Sequence, residues 1–348
     1  MRIIEIGGRP YFKSVFPDET IHFSTSHTPG KHDPAGGLYA LSLRTLPVLR
    51  RALQEPADLI VCQATFFSPW HWQCLVRALF DRRALRGNIP LFRAWGPQLL
   101  RFSLRSPLAV LDFQDSPIIH RSNFFLLDRC RFYFKRELPT DHWRLFITSG
   151  HAGLPTPRLR RNTRYIERLK KVRPISLGLP RGVVDQLPAP TQDKTADIFF
   201  AGRVQGSTVR ERGLKEILAL REQGVRVDIP DQPLSRAEFY ARCARSWLVW
   251  SPEGYGWQCF RHYEAPGCGS VPVINQPTIE QSRPLKHGEQ AIFYDVEAGG
   301  LTRTVMSALA DKARLTEIAR VGRAHVLAYH TPRAIAENVI ETMLGHLK

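Results

Sequence analysis

The sequence predicts an α/β protein of two Rossmann-like domains, each built on a doubly wound parallel sheet, with a C-terminal amphipathic helix. Short apolar runs bounded by polar residues alternate with stretches of helical periodicity in both halves, as in βαβ units. The length of 348 residues suits two domains. A stretch rich in proline and glycine, at positions 174–190, lies between the halves and indicates an interdomain linker.

The first half opens with a strand that runs into a glycine turn, at Arg2–Gly8. Apolar residues at about every third or fourth position predict a helix over Leu38–Leu53. The remaining elements predicted for this half are strands at 58–62, 89–92, 108–112 and 131–134, and a helix at 70–80. We assign residues 1–180 to an N-terminal domain.

The second half repeats this alternation. Its predicted elements are strands at 196–202, 225–228, 247–250, 271–274 and 291–294, and helices at 212–223, 235–244, 258–267 and from 301 and 315 onward. Ser235 and Glu238 have capping-box spacing, and Thr331-Pro332 is a strong start signal for the last helix. One face of that helix carries the apolar residues Ile335, Val339, Met343 and Leu347. Residues 181–330 form the second predicted domain, and we expect the helix at 331–348 to pack back toward the first.

Positive charge is concentrated in the first half. Positions 1–175 hold 28 basic and 13 acidic residues, whereas the remainder holds 21 and 19. This asymmetry indicates an anionic partner for the first half, with a merely arginine-rich surface as the alternative. No long apolar run or leader peptide is evident, and the six dispersed cysteines have no CxxC spacing, which favours reduced thiols and a cytoplasmic protein.

A glycine-rich turn, Ser251-Pro-Glu-Gly-Tyr-Gly256, follows the predicted strand at 247–250. Its glycines, Gly254 and Gly256, let backbone approach a ligand closely around Tyr255. The N-terminus of the helix predicted next would favour a diphosphate. Arg261 and Glu264 lie three residues apart and share a helix face, where the arginine would pair with phosphate and the glutamate would accept ribose hydroxyls. The segment therefore predicts a nucleotide-diphosphate site.

The segment SPEGYGWQCFRHYEAPGCGSVPVI resembles the nucleotide-sugar signature of GT-B glycosyltransferases. It is most similar to their exostosin-like and spore-protein-like forms, which have a glycine-rich turn followed by R-x-x-E and Gly-x-x-Pro-Val. The resemblance extends over about 198–294. It implies a GT-B fold and transfer of a glycosyl group from a UDP- or GDP-sugar, which is the substrate, with no further cofactor.

Within this resemblance, Arg261 matches the arginine of the exostosin-like form. Glu264 matches the glutamate that binds the donor ribose, and Glu253 matches the first glutamate of the paired motif, with three more positions between them than the family pattern has. Gly202-Arg203 resembles the loop after the first donor-domain strand, so that Arg203 would contact the diphosphate. Arg212, followed by a glycine, resembles the later Lys-Gly pair.

Glycosyl transfer needs stabilisation of the leaving diphosphate and removal of a proton from the acceptor hydroxyl. No clear DxD motif follows a strand, so we expect no obligatory metal. Asp112, Asp115 and His120 are the candidates for the base, because ligand-facing residues of such sheets follow the strands. His27 and His32 are competitors, and a structural role for any of these residues stays open.

We expect the basic N-terminal domain, residues 1–180, to bind the acceptor, whose identity the sequence constrains less than that of the donor. An anionic polysaccharide or lipid-linked glycan is one candidate. Peripheral attachment at the inner membrane face would bring the protein to it, with Phe66, Phe67, Trp70 and Trp72 as the candidate docking residues. A DNA base carrying a hydroxymethyl group is a second candidate, because RLRRNTRYIERLKK suits phosphates and an extruded base. A catalytically inactive module that binds nucleotide or polyanion is the alternative from another class.

Overall fold

The computed structural model describes residues 1–26, 32–42, 44–65, 95–102, 104–146 and 163–345. The chain divides into two compact units. The first unit consists of Met1–Ile175 with Ala336–Lys348, and the second consists of Ser176–Ile335.

The first unit contains a seven-stranded sheet in which every adjacent pair is parallel. Its strands are β1 Ile3–Gly7, β2 Thr20–Ser24, β3 Leu38–Ala40, β4 Leu59–Gln63, β5 Leu108–Asp112, β6 Phe132–Lys135 and β7 Val172–Pro174. Their order is β3-β2-β1-β4-β5-β6-β7. The described α-helices before the second unit are α1 Leu46–Gln54, α2 Phe124–Arg129 and α3 Thr163–Leu169. Since the chain order reverses between β1 and β4, this sheet is doubly wound, as predicted.

The helix predicted over Leu38–Leu53 is wrong in its first part, where β3 extends the sheet. The helix starts only at Leu46, because the chain turns before it: the Ser42 amide donates to Oγ1 of Thr45 at 2.8 Å. Proline is compatible only with the first turn of a helix, and it occupies that turn here. Strand β2 was not predicted. The helix predicted at 70–80 and the strand at 89–92 lie outside the described residues.

The second unit contains a five-stranded parallel sheet. Its strands are β8 Ala196–Phe199, β9 Val227–Asp228, β10 Ser246–Trp250, β11 Val271–Asn275 and β12 Ile292–Tyr294. The α-helices are α4 Thr208–Ala219, α5 Arg236–Ala244, α6 Arg261–Gly267, α7 Gly300–Leu309 and α8 Lys312–Tyr329, and α9 Pro332–Gly345 continues into the first unit. Short 3-10 helices occur at Leu99–Arg101, Arg121–Asn123, His142–Phe146, Val184–Gln186 and Leu220–Gln223.

The strand order of the second sheet, β12-β11-β10-β8-β9, reverses between β8 and β10. In doubly wound sheets ligands bind beyond the carboxyl ends of the strands at such a reversal. The two loops that leave the sheet at this point are those after Phe199 and after Trp250. The fold therefore places Gly202-Arg203 and the glycine-rich turn at 251–256, both predicted to bind the donor, in neighbouring loops.

Local sequence explains several elements of the second unit. Helix α5 begins with the predicted capping box, in which Ser235 and Glu238 bond each other's backbone amides. Helix α4 lies close to β10 because Gly213 leaves room for the indole of Trp250, which a methyl group at that position would overlap. Helix α9 begins at the predicted Pro332. Among the described residues no helix is both long and apolar enough to cross a bilayer.

Candidate donor site in the second unit

The turn after β10 is fixed by its own side chains. The Ser251 hydroxyl and Nδ1 of His262 lie 2.6 Å apart, and Nε2 of His262 lies 2.9 Å from the Trp257 carbonyl oxygen. Because Nε2 donates to a carbonyl, Nδ1 of this buried histidine accepts from the serine. The pair ties the start of the turn to helix α6, and neither ring nitrogen is left for catalysis.

Asn275, at the end of β11, holds Glu253. Its Oδ1 accepts from the Glu253 amide at 2.9 Å, and its Nδ2 donates to Oε2 of Glu253 at 3.1 Å. Further along, the Gly254 amide donates to the Gly256 carbonyl at 2.9 Å, so the chain turns tightly around Tyr255. Tyr255 is 90% exposed at the tip. The predicted donor residues of this turn thus form one ordered loop at the sheet edge.

Arg261 reaches from the start of α6 to the loop after β8. Its Nη1 donates to the Ala201 carbonyl at 2.8 Å, and its guanidinium lies over the Phe200 ring, 5.1 Å from the centroid. Nε and Nη2 are buried and have no hydrogen-bond partner in the part of the chain that is described. Burial lowers the pKa of Arg261, and the positive charge of Arg210 acts in the same direction. The guanidinium is therefore a desolvated cation with unused donors.

Arg210, which sequence reasoning missed, joins the two loops. Its Nε donates to the Glu253 carbonyl at 2.7 Å, its Nη1 to the Arg203 carbonyl at 2.8 Å, and its Nη2 to Sγ of Cys259 at 3.4 Å. These bonds use three of its five N–H groups. Arg210 and Arg261 thus place two cations between the loop after β8 and the loop after β10.

Arg203 and Arg212 are both exposed. The backbone of Arg203 is anchored through its carbonyl, so its side chain projects from an ordered loop. The helix predicted to begin at Arg212 begins four residues earlier, at Thr208, capped by Ser207. That shift puts Arg210 in the first turn beside the loops. Hydrogen bonds therefore join Arg210 to both loops, whereas no hydrogen bond or ion pair joins the Arg212 side chain to the described residues of either loop.

Glu264 lies one turn after Arg261. Its Oε1 accepts from the Tyr240 hydroxyl at 3.0 Å. Burial raises the pKa of Glu264, against the lowering effects of the Tyr240 bond and of Arg261. The second carboxylate oxygen is available to accept a hydroxyl of a ligand. Arg261 and Glu264 both lie in α6, three residues apart, so they share a face of this helix as predicted.

The helix predicted from Gln258 begins instead at Arg261 and has seven residues. Three of its first four amides bond within the segment: His262 donates to the Cys259 carbonyl, and Tyr263 and Glu264 donate to the Phe260 carbonyl. The expectation that this helix N-terminus receives the diphosphate stays a prediction. The Arg261 guanidinium supplies two further unused donors beside it.

Asp112, predicted as a base, is fully buried in the first unit at the end of β5. Its Oδ2 accepts from the Tyr133 hydroxyl at 2.8 Å and lies 3.2 Å from Nζ of Lys135, which is also fully buried. Its Oδ1 accepts from the Gln114 amide at 3.1 Å. This environment makes Asp112 part of a buried ion pair, with both oxygens engaged and no exposed surface for an acceptor hydroxyl.

The other candidates for the base are more accessible. Asp115 is exposed and pairs with Nη1 of Arg136 at 2.5 Å. His120 is exposed at the start of a 3-10 helix, where its Nδ1 accepts from the Ser122 amide at 3.3 Å. His32 accepts weakly from the Ala40 amide at 3.4 Å. His27, Phe66, Phe67, Trp70 and Trp72 lie outside the described residues, as does most of the basic stretch before Thr163.

In the described ranges no three His, Cys, Asp or Glu side chains are grouped as a metal site requires. The independence from metal that the sequence suggests remains a prediction. The described cysteines are free thiols, and Cys259, beside Arg210, is the one that is not buried.

A family model described as glycosyl transferase-like matches residues 232–341, which lie mostly in the second unit. No curated protein sequence matches the chain. Among solved structures, Anabaena HepE in complex with UDP has a TM-score of 0.53 at 14% identity, covering 99% of this chain and all of that one. Sucrose-phosphate synthase from Thermosynechococcus elongatus has 0.54 at 12%, covering 100% and 99%. A glycosyltransferase from Rickettsia africae has 0.58 at 8%, covering 99% and 98%.

These similarities extend over essentially the whole chain, and the architecture is that of the GT-B fold. The fold prediction is confirmed. The family model adds that a region of the second unit, residues 232–341, is similar to glycosyl transferase-like domains.

Proposed function

We propose that the protein transfers a glycosyl group from a UDP-sugar to an anionic acceptor, with the donor bound at Arg210, Arg261 and Glu264. The observation that carries this proposal is the buried, incompletely bonded guanidinium of Arg261 beside the second cation Arg210. Two neighbouring cations are costly to bury without an anion, and a diphosphate supplies the missing charge and the missing acceptors.

The same groups suit the chemistry. When the anomeric carbon–oxygen bond breaks, negative charge develops on the β-phosphate of the leaving nucleotide. Donors that are already fixed in position stabilise that charge at little cost in reorganisation. Arg261 is fixed through Ala201, and Arg210 is fixed through both loops. The exposed Arg203 would add a third cation, and the second carboxylate oxygen of Glu264 would accept a ribose hydroxyl.

The choice of uridine as the nucleoside of the donor is supported by the structurally similar protein HepE. HepE, which has the same fold, has been crystallised with UDP, with UDP and glucose, and with UDP-glucose. A GDP-sugar remains the alternative donor from the sequence. An anionic acceptor is supported by the excess of basic residues in positions 1–175. We favour a glycan or lipid-linked glycan in the cytoplasm, with a hydroxymethylated DNA base as the alternative outcome.

The proposal is tested by isothermal titration with UDP, UDP-glucose and GDP, and by following release of UDP from UDP-glucose during prolonged incubation. We expect saturable binding of UDP and slow hydrolysis of the donor. Nucleotide binding without any hydrolysis or transfer would favour the inactive module. No binding of any nucleoside diphosphate would overturn the proposed site. Gel shifts with hydroxymethylated duplex DNA, measured at several salt concentrations, separate the two classes of acceptor.

A further inference from the structure

The second unit contains a cavity of about 340 Å³ away from the candidate donor loops. Its residues at the sheet lie at or just before the amino ends of three strands: Lys194 precedes β8, Trp247 is near the start of β10, and Gly269 precedes β11. The donor loops leave the carboxyl ends of β8 and β10. The cavity and the candidate donor site are therefore at opposite edges of one sheet.

Most of the cavity wall is apolar. Leu315, Ala319 and Leu327 of helix α8 form one side, and Pro190 and Trp247 contribute to the other. The volume lies within the roughly 300–1,000 Å³ typical of small-molecule sites. Such walls offer few hydrogen-bond partners to a sugar or a nucleotide, but they suit a hydrocarbon chain.

Lys194 supplies a polar group with an unused donor. Its Nζ donates to the Ala244 carbonyl at 2.6 Å and to the Gly269 carbonyl at 2.9 Å. An ammonium group has three N–H donors, and the third has no hydrogen-bond acceptor among the described residues. Burial lowers the pKa of Lys194 to about 8. An anion in the cavity would both accept the third bond and offset the cost of burying the charge.

The charged residues around the cavity are mainly cations. Lys194, Arg320 and Arg323 line it, and its lining contains no aspartate or glutamate. Two ammonium groups lie near the Trp247 ring: Nζ of Lys312 is 5.1 Å from the ring centroid, and Nζ of Lys194 is 5.9 Å from it. Glu317, which pairs with Arg320, and Asp197, which pairs with Lys312, neutralise part of this charge without lining the cavity. The balance at the wall is positive.

We propose that this cavity binds an acyl carboxylate of medium chain length, with the carboxylate at Lys194 and the hydrocarbon between Trp247 and helix α8. The proposal is independent of the proposed transferase function, because the two sites share no residue. It assigns a second ligand to the unit that carries the candidate donor loops.

The test uses the full chain and 11-bromoundecanoate, whose bromine quenches nearby indole fluorescence. We expect saturable quenching that disappears in Trp247→Phe and weakens at least tenfold in Ala319→Phe, which fills the cavity but retains Lys194. Lys194→Met should weaken binding of decanoate at least tenfold and leave binding of uncharged decanol within twofold, both measured by competition. Circular dichroism checks that each variant is folded.

Arg261→Ala serves as the control: it should lose UDP and bind 11-bromoundecanoate like the wild type. Quenching that persists in Trp247→Phe or is unchanged in Ala319→Phe would overturn the cavity as the site. Equal weakening of decanoate and decanol by Lys194→Met would overturn the carboxylate as the recognised group. Failure of UDP to bind the wild type would bear on the donor proposal and not on this one.

Discussion

Gly202 leaves the space that Nη1 of Arg261 occupies: a methyl group at position 202 would overlap that nitrogen. The glycine of the first loop and the arginine of the later helix are 59 positions apart in the chain. Gly254 has a similar relation to Arg210, whose Nη2 would lie 3.0 Å from a Cβ at position 254. The loop after β8 and the loop after β10 therefore each have a glycine in close contact with a guanidinium group.

The first prediction concerns Gly202→Ala. The backbone there needs no left-handed conformation, so the effect should come from displacement of Arg261 alone. Loss of one charge-assisted hydrogen bond of about 1.5–3 kcal/mol implies roughly 10- to 150-fold weaker UDP binding. Isothermal titration measures this change. Gly8→Ala, where the added methyl meets only ordinary contact, is the control; equal effects from both substitutions would contradict the prediction.

Arg210 and Arg212 form a matched pair for the second prediction. Arg210→Ala should weaken UDP binding at least tenfold, because it removes a cation and frees the loops at Glu253 and Arg203. Arg212→Ala removes the same charge from an exposed position of the same helix and should change binding less than threefold. Titration at two salt concentrations distinguishes local contacts from long-range attraction. A larger effect of Arg212→Ala would restore the assignment made from sequence.

The sequence predicted the fold well because buried parallel strands and helix start signals are local patterns. It could not choose between Arg210 and Arg212, since their neighbourhood RERG has no periodic apolar signal and the choice depends on where the helix begins. Ser207 as N-cap was the available signal. Strand β2, TIHFS, was missed because it follows a long turn and mixes polar with apolar residues, although its partners in the sheet bury it.

The candidate bases were predicted because ligand-facing residues of such sheets follow the carboxyl ends of the strands. Position at a strand end does not show whether a side chain faces a ligand or is buried against a neighbouring strand. Asp112 follows the rule by position but pairs with Lys135, which lies directly opposite it on β6. A lysine in the buried strand FYFK was the sequence signal for such a pair. Arg261 and Glu264 were found because one helix carries both, whereas Arg210 required knowledge of the packing between loops.

Substitution at Asp112 gives the third prediction. Asp112→Asn leaves Lys135 buried without a counter-charge, which typically costs about 3–5 kcal/mol of unfolding free energy. Asp115→Asn removes a partly exposed partner of Arg136 and should cost about 0–1 kcal/mol. Urea unfolding measures both. A variant Asp112→Asn that is as stable as the wild type but inactive would instead support the catalytic role predicted from sequence.

The fourth prediction concerns Gly213 in helix α4. Replacing a helical glycine by alanine ordinarily stabilises a helix by about 1 kcal/mol. Here the added methyl overlaps the Trp250 indole, which is fully buried and donates to the Tyr294 hydroxyl at 3.1 Å. We therefore expect the opposite sign, a loss of about 1–3 kcal/mol from overpacking. Lys215→Ala, at an exposed position of the same helix, is the control, and stabilisation by Gly213→Ala would show that α4 can move away from β10.

The fifth prediction concerns the pH dependence of stability through His330. Burial lowers the pKa of this histidine to about 3, and nearby His325 acts in the same direction. Its Nδ1 lies 2.7 Å from the Ser176 hydroxyl and its Nε2 2.9 Å from the Arg283 carbonyl oxygen, so the neutral ring is bonded on both sides. In the unfolded chain His330 takes up a proton below a pH of about 6.5, whereas in the folded chain it stays neutral down to about pH 3.

His330 therefore makes its full contribution to the free energy of unfolding above about pH 6.5. That contribution declines as the pH falls toward 3, by at most about 1.4 kcal/mol per pH unit. Urea unfolding of the wild type and of His330→Gln at pH 7.5, 6.5 and 5.5 measures it. The variant should be less stable at pH 7.5, and the difference between the two proteins should shrink at pH 5.5, because glutamine does not titrate. A difference that stays constant across this range would mean that His330 takes up protons equally in the folded and unfolded chains.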